Sequence, residues 1–210
     1  MNGLSIAVMS INILLTGILL ALCVYKYLRD SHRVALILSV VFFFTIAWVL
    51  NRMFVLSGFI PGKMSIFINI NLNFFIGFLI YFATYLLIED SVKRAYGMLL
   101  TLASKLVPIY AFVTVAYVKS PFWVMLPSSV FLGLSQLVSG LIIMRYFNYA
   151  GKDRKIRFAM RLFWIGLVGQ GLTTPFYVFS WDSQATLIIL QVFASIFKFL
   201  LAAGLLMFLF

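Results

Sequence analysis

Seven long apolar stretches dominate this sequence, at about 4–25, 34–57, 65–88, 97–118, 121–147, 158–180 and 184–210. A helix needs about 20 apolar residues to cross a 30 Å hydrocarbon core, and each stretch is long enough. A transmembrane barrel would instead show alternating segments of about ten residues. Charged residues make up only 10% of the chain against 64% hydrophobic, so lipid must solvate most of the surface. The sequence predicts an all-α polytopic membrane protein. It forms one domain over 1–210, a seven-transmembrane helix bundle with short connections. Breaker signals fall between the stretches, at Ser57-Gly58, Pro61-Gly62, Ser120-Pro121, Gly151 and Trp181-Asp182-Ser183. The first stretch is too long for a signal-peptide core and has no basic segment before it, so it reads as a spanning helix.

Charge then sets direction. The first, third and fifth connections carry Lys26, Arg29, Arg33, Lys93, Arg94, Arg145, Lys152, Arg154, Lys155, Arg157 and Arg161. The opposite side carries Arg52, Lys63 and Lys119. Short loops rich in Lys and Arg stay in the cytoplasm. The expected arrangement therefore has the N-terminus outside and the C-terminus cytoplasmic. The net charge of +11 reads as a topology signal and an attraction to anionic lipid, with no basic surface left for nucleic acid. The lipid bilayer is the one partner composition demands. A single cysteine, Cys23, excludes an internal disulfide framework and a cysteine-based zinc cluster.

Polar residues inside the spans fall on faces, and such groups normally turn to the bundle interior. Span six carries Gly166, Gly169, Gln170, Thr173 and Thr174 at offsets of one helical face. Span five carries Ser128, Ser135 and Ser139, with Ser129 and Gln136 beside them. Span seven carries Gln191, Ser195 and Lys198, and span one Ser5, Asn12 and Thr16. One expectation is helix–helix packing through small and hydrogen-bonding residues. The other is a mid-membrane ligand site between spans five, six and seven, built from Ser135, Gln136, Gln170, Thr173, Thr174, Gln191, Ser195 and Lys198. Pro175 leaves a carbonyl of span six without its helical donor, which predicts a kink beside that site. An outer polar layer would combine Arg52, Asn69, Asn73 and Asp182, with Asn71 on another face. Lys105 and Lys198 lie within spans and are expected to reach toward the inner headgroups. Neutralising an anionic ligand, or pairing with Glu89, is the alternative.

Catalytic parts are missing. Lys198 sits where microbial opsins hold their retinal lysine, but Ala194 stands where a carboxylate usually precedes it, and no acid lies in a span centre. Serine proteolysis lacks a base, because the single histidine, His32, is in a loop. Metal hydrolysis lacks ligands. No cofactor is expected. Sliding spans one and two onto five and six by 123 residues pairs Gly17 with Gly140, Asp30 with Asp153, Val55 with Val178 and Ser57 with Ser180. That fits a three-plus-one-plus-three arrangement without requiring it.

Seven helices in about 200 residues, with Trp48 late in span two and the aromatic-rich Phe74–Tyr85 of span three, resemble the N-terminal membrane domain of bacterial sensor histidine kinases and related signalling proteins. The resemblance implies a sensory input module in a bacterial plasma membrane, N-outside and C-inside, with a cytoplasmic signalling domain or partner after Phe210. The aromatic content of 18% and the few polar anchors suggest an apolar or amphiphilic ligand. A homodimer is among the assemblies open to such a module. The alternatives are a passive facilitator for a small uncharged solute, using Gln170, Gln191 and Ser135, and a structural subunit of a membrane complex.

Overall fold

The structure, a computed structural model, describes residues 3–31, 33–88, 106–118, 120–150, 154–181 and 183–209. Among them there is no strand. The helices are α1 (Gly3–Asp30), α2 (Arg33–Leu56), α3 (Gly62–Ile88), α4 (Leu106–Tyr117), α5 (Pro121–Ala150), α6 (Arg154–Thr173) and α7 (Gln184–Leu209). Six are long and apolar enough to cross a membrane, counting α6 with the segment that continues it, and α4 is shorter. This is a polytopic membrane helical bundle.

Local chemistry places the ends. Ser31 terminates α1 in the left-handed region (φ 51°), its N–H donating to the Tyr27 carbonyl at 2.8 Å. Asp30 just before it pairs with Lys26 and with Arg29. Pro121 opens α5, where its missing N–H costs nothing. The Ser183 hydroxyl accepts from the Thr186 N–H at 3.2 Å and caps α7.

Span six is not one α-helix. α6 stops at Thr173, and Thr174–Trp181 continue as a 3-10 helix. Pro175 has no N–H and disfavours α geometry in the residue before it, so an end to the α-helix near Thr174 follows from the sequence. The turn packs against α5 at close range. A Cβ on Gly133 would lie 2.8 Å from the Gly171 carbonyl and from the Pro175 ring, so only glycine admits this approach.

The helices close into a ring. α1 packs on α2, α2 on α3, α3 on α5, α5 on α6, α6 on α7, and α7 back on α1. Two seams are parallel. Along α3–α5, Ile66 and Ile70 meet Val124 and Met125, Asn73 meets Ser128 and Ser129, and Gly77 meets Phe131 and Ser135, so both residue numbers rise together. Along α7–α1, Gln184 meets Ser5 and Gln191 meets Asn12. These seams divide the ring into α1–α3 and α5–α7. α4 lies outside the ring, with Ala111 packed among α3 and α5 residues. The paired positions of the 123-residue alignment have different surroundings. Gly140 faces Val168 and Trp164, whereas nothing stands within 4 Å of a Cβ on Gly17. Ser180 is buried and Ser57 exposed.

Glycines make the α6–α7 seam close. A Cβ on Gly166 would meet the Phe197 carbonyl at 2.6 Å, and one on Gly204 the Ala159 carbonyl at 2.6 Å. Two apolar clusters fill the ring toward its ends. Leu19, Cys23, Phe42, Ile143, Leu167, Leu201 and Ala202 form one, and Tyr177, Leu187, Leu190 and Ala194 the other.

Candidate functional site

Between these clusters lie two small cavities, of about 70 Å³ and about 50 Å³. Both are bounded by Thr45, Ile76, Gln136, Gln170 and Lys198, which form a waist. From the waist one cavity runs along apolar side chains to Val34 and Phe163, and the other reaches Trp48, Thr173, Thr174 and Tyr177. Every helix of the ring contributes to the second cavity, α1 through Asn12. At 1.5 Å per residue, Lys198 sits about 21 Å along α7 and Gln170 about 24 Å along α6, so the waist is near mid-depth.

Lys198 is 4% exposed and does not reach for a headgroup. Its ammonium donates to Asn12 Oδ1 and, at 2.8 Å, to Thr16 Oγ1. Asn12 Nδ2 in turn donates to Gln191 Oε1 at 2.6 Å. No ion pair forms at Lys198 among the described residues. An ammonium inside a bundle is costly without such acceptors. The sequence supplies the geometry by heptads. Ser5 and Asn12 are seven apart, as are Gln184, Gln191 and Lys198, so two parallel helices present matching polar ladders.

Across the waist, Thr174 Oγ1 donates to Gln136 Oε1 at 2.7 Å, and Gln136 Nε2 lies 3.4 Å from Gln170 Oε1. The Gln170 Nε2 and Trp48 Nε1 donors are buried without an acceptor among the described residues. Trp48 stands edge-on to Tyr177, centroids 5.0 Å apart, and the Tyr177 hydroxyl donates to the Leu190 carbonyl at 3.0 Å.

Of the residues expected at a mid-membrane site, the structure brings Gln136, Gln170, Thr173, Thr174 and Lys198 to the axis. Three turn elsewhere. Ser135 is wedged against Gly77 in the α3–α5 seam and donates to the Phe131 carbonyl. Gln191 faces α1, and Ser195 donates back to the Gln191 carbonyl. The glycines on the same face of α6 serve packing against α7. Thr45, Trp48, Ile76 and Tyr177 join the site without having been singled out for it. Only Trp48, a lone indole late in an apolar span, carried a signal.

Of the expected outer polar residues, the described Arg52, Asn69 and Asn73 each have partners of their own. Arg52 is buried, donating to the Ser180 carbonyl at 2.6 Å and stacking over the Trp181 ring at 3.9 Å. Asn69 accepts from Asn51 Nδ2 at 3.0 Å. Asn73 donates to Ser128 and Ser129 on α5. Asn71 donates to the Phe67 carbonyl. Asp182, Lys105, Glu89 and His32 lie outside the described residues. No group of three metal-ligating side chains occurs among the described residues. No protein-family model, curated protein or solved structure matches this chain.

Proposed function

We propose that this chain is a membrane-embedded sensory input module that binds an amphiphilic ligand on the ring axis and relays a helix rearrangement to a cytoplasmic signalling domain or partner. One observation carries the proposal: the axial site is lined by all six ring helices, so an occupant touches every seam at once. A ligand shifts an equilibrium only by its differential affinity for two packings. A site shared by six helices is suited to that, and an apolar shell with few polar anchors suits an amphiphile. α7 carries Lys198 and Gln191 and is the relay in this scheme.

Seven crossings belong to the same proposal. The parallel run of α3 and α5 favours a return crossing between them, and the apolar α4 would belong to it. The distribution of Lys and Arg favours an external N-terminus and a cytoplasmic C-terminus. The resemblance to sensor kinase domains favours a bacterial plasma membrane.

A test uses Trp48 as reporter after Trp123, Trp164 and Trp181 are changed to Phe. Titration of the protein in lipid nanodiscs with butyrate, propanol and propylamine is expected to change Trp48 emission saturably with at least one of them. Linear or absent responses to all three count against a ligand on the axis.

A second function, passive passage of a small uncharged solute, draws on the stacking of the two cavities across the waist. Glycerol entry into proteoliposomes at ten times the protein-free rate, abolished by Gln170→Leu, would favour it. Entry at the protein-free rate would remove it.

A further inference from the structure

We infer that the waist is a binding site for a small monocarboxylate, its carboxylate held by Lys198 and its short alkyl tail in the apolar inner cavity. This rests on the axial site proposed above and names the chemistry it selects.

The inference comes from an imbalance of hydrogen-bonding groups. Lys198 has three ammonium protons, of which two go to Asn12 and Thr16. Its side chain borders both cavities. Gln170 lines the same space and Trp48 the outer cavity, and the Gln170 Nε2 and Trp48 Nε1 donors have no acceptor among the described residues. Buried indole N–H groups usually find a partner. Among the described residues the other polar groups lining the two cavities are neutral: the Thr45, Thr84, Thr173 and Thr174 hydroxyls, which donate to backbone carbonyls, the Tyr177 hydroxyl, and the amides of Asn12 and Gln136. An occupant that supplies acceptors and one negative charge corrects both deficits. A carboxylate does so with two oxygens and about four lone-pair sites.

Size and polarity set the rest of the molecule. The inner cavity, about 70 Å³, runs from Lys198 past Ile80, Ala83 and Leu167. At about 30 Å³ per water it admits only a few heavy atoms. A tail of two or three carbons fits, and a polar one would lose its hydration without replacement.

The experiment is equilibrium binding of radiolabelled butyrate to the full chain in nanodiscs, with butyramide as a neutral isostere. Saturable butyrate binding, with butyramide at least tenfold weaker and Lys198→Met at least tenfold weaker, is expected. Ala83→Leu, which fills the inner cavity, should weaken butyrate at least tenfold while acetate still binds. That variant and the butyramide comparison keep the test decisive if Lys198→Met fails to fold. Butyramide binding as tightly as butyrate, or butyrate binding that ignores both substitutions, overturns the carboxylate assignment while leaving an axial amphiphile site standing. No saturable binding of butyrate, butyramide or butanol overturns both. Oleate competing as strongly as butyrate would assign the same carboxylate chemistry to a bilayer fatty acid and overturn the short tail.

Discussion

Two glycine-to-alanine substitutions should move stability in opposite directions, although the chemical change is the same. At Gly166 the added methyl would meet the Phe197 carbonyl at 2.6 Å, the Leu201 side chain at 2.7 Å and the Leu201 backbone nitrogen at 3.0 Å. Two of these three are backbone atoms, so α6 and α7 must separate to relieve the clash. At Gly17 nothing lies within 4 Å. Both substitutions gain about 1 kcal/mol of helix propensity. Only Gly166→Ala also incurs overpacking, about 1–3 kcal/mol. Propensity cancels in the comparison, and the two variants should differ by about 2 kcal/mol. For a chain of this size that corresponds to roughly 4–8 °C in Tm. Differential scanning fluorimetry of both variants in the same detergent reads it. Equal shifts of the same sign would refute the close α6–α7 seam and with it the glycine basis of the ring.

Three other perturbations follow from the described contacts. Asn12→Leu removes an acceptor from Lys198 and a donor to Gln191, and should cost about 1–3 kcal/mol in reversible unfolding, with Lys198→Met in the same chain recovering part of it. Full additivity of the two would show that the side chains do not interact. Tyr177→Phe loses the bond to the Leu190 carbonyl and should cost about 1 kcal/mol by the same assay, whereas an unchanged midpoint would contradict that bond. In a Cys23→Ala background, an impermeant maleimide should label Lys63→Cys in intact cells and Arg157→Cys only after lysis; the reverse pattern would invert the proposed sidedness, since both positions are exposed.

Six long helices were legible because length and hydropathy act locally: a run of more than twenty apolar residues has few other solutions in lipid. The break at Pro175 was legible as a kink, but its form was not. Whether the chain bends or tightens into a 3-10 turn depends on Gly133 and Gly171 letting α5 approach, which is a property of two helices. The polar faces were legible on each helix, while their partners were not. Gln191, Ser195 and Lys198 share a stripe of α7, yet Gln191 pairs with α1, Ser195 bonds its own helix and Lys198 reaches the axis. Lys198 itself was expected to reach for a headgroup, because its stem is long enough. Asn12 and Thr16, one turn apart on a neighbouring parallel helix, hold it inside instead. That adjacency closes the ring, and periodicity within one helix carries no information about it.

Ring closure is therefore the claim on which the axial site depends, and the α7–α1 register tests it most directly. In a Cys23→Ala background, Ser5→Cys with Gln184→Cys should cross-link within one chain through a short bis-methanethiosulfonate, because the long Gln184 side chain spans the seam to meet Ser5 at 2.9 Å and the linker replaces its reach. Moving the first cysteine to Leu14, which is 65% exposed on another face of α1, should abolish it. Equal cross-linking of both pairs, or cross-links only between chains, would contradict a ring closed by α1 against α7.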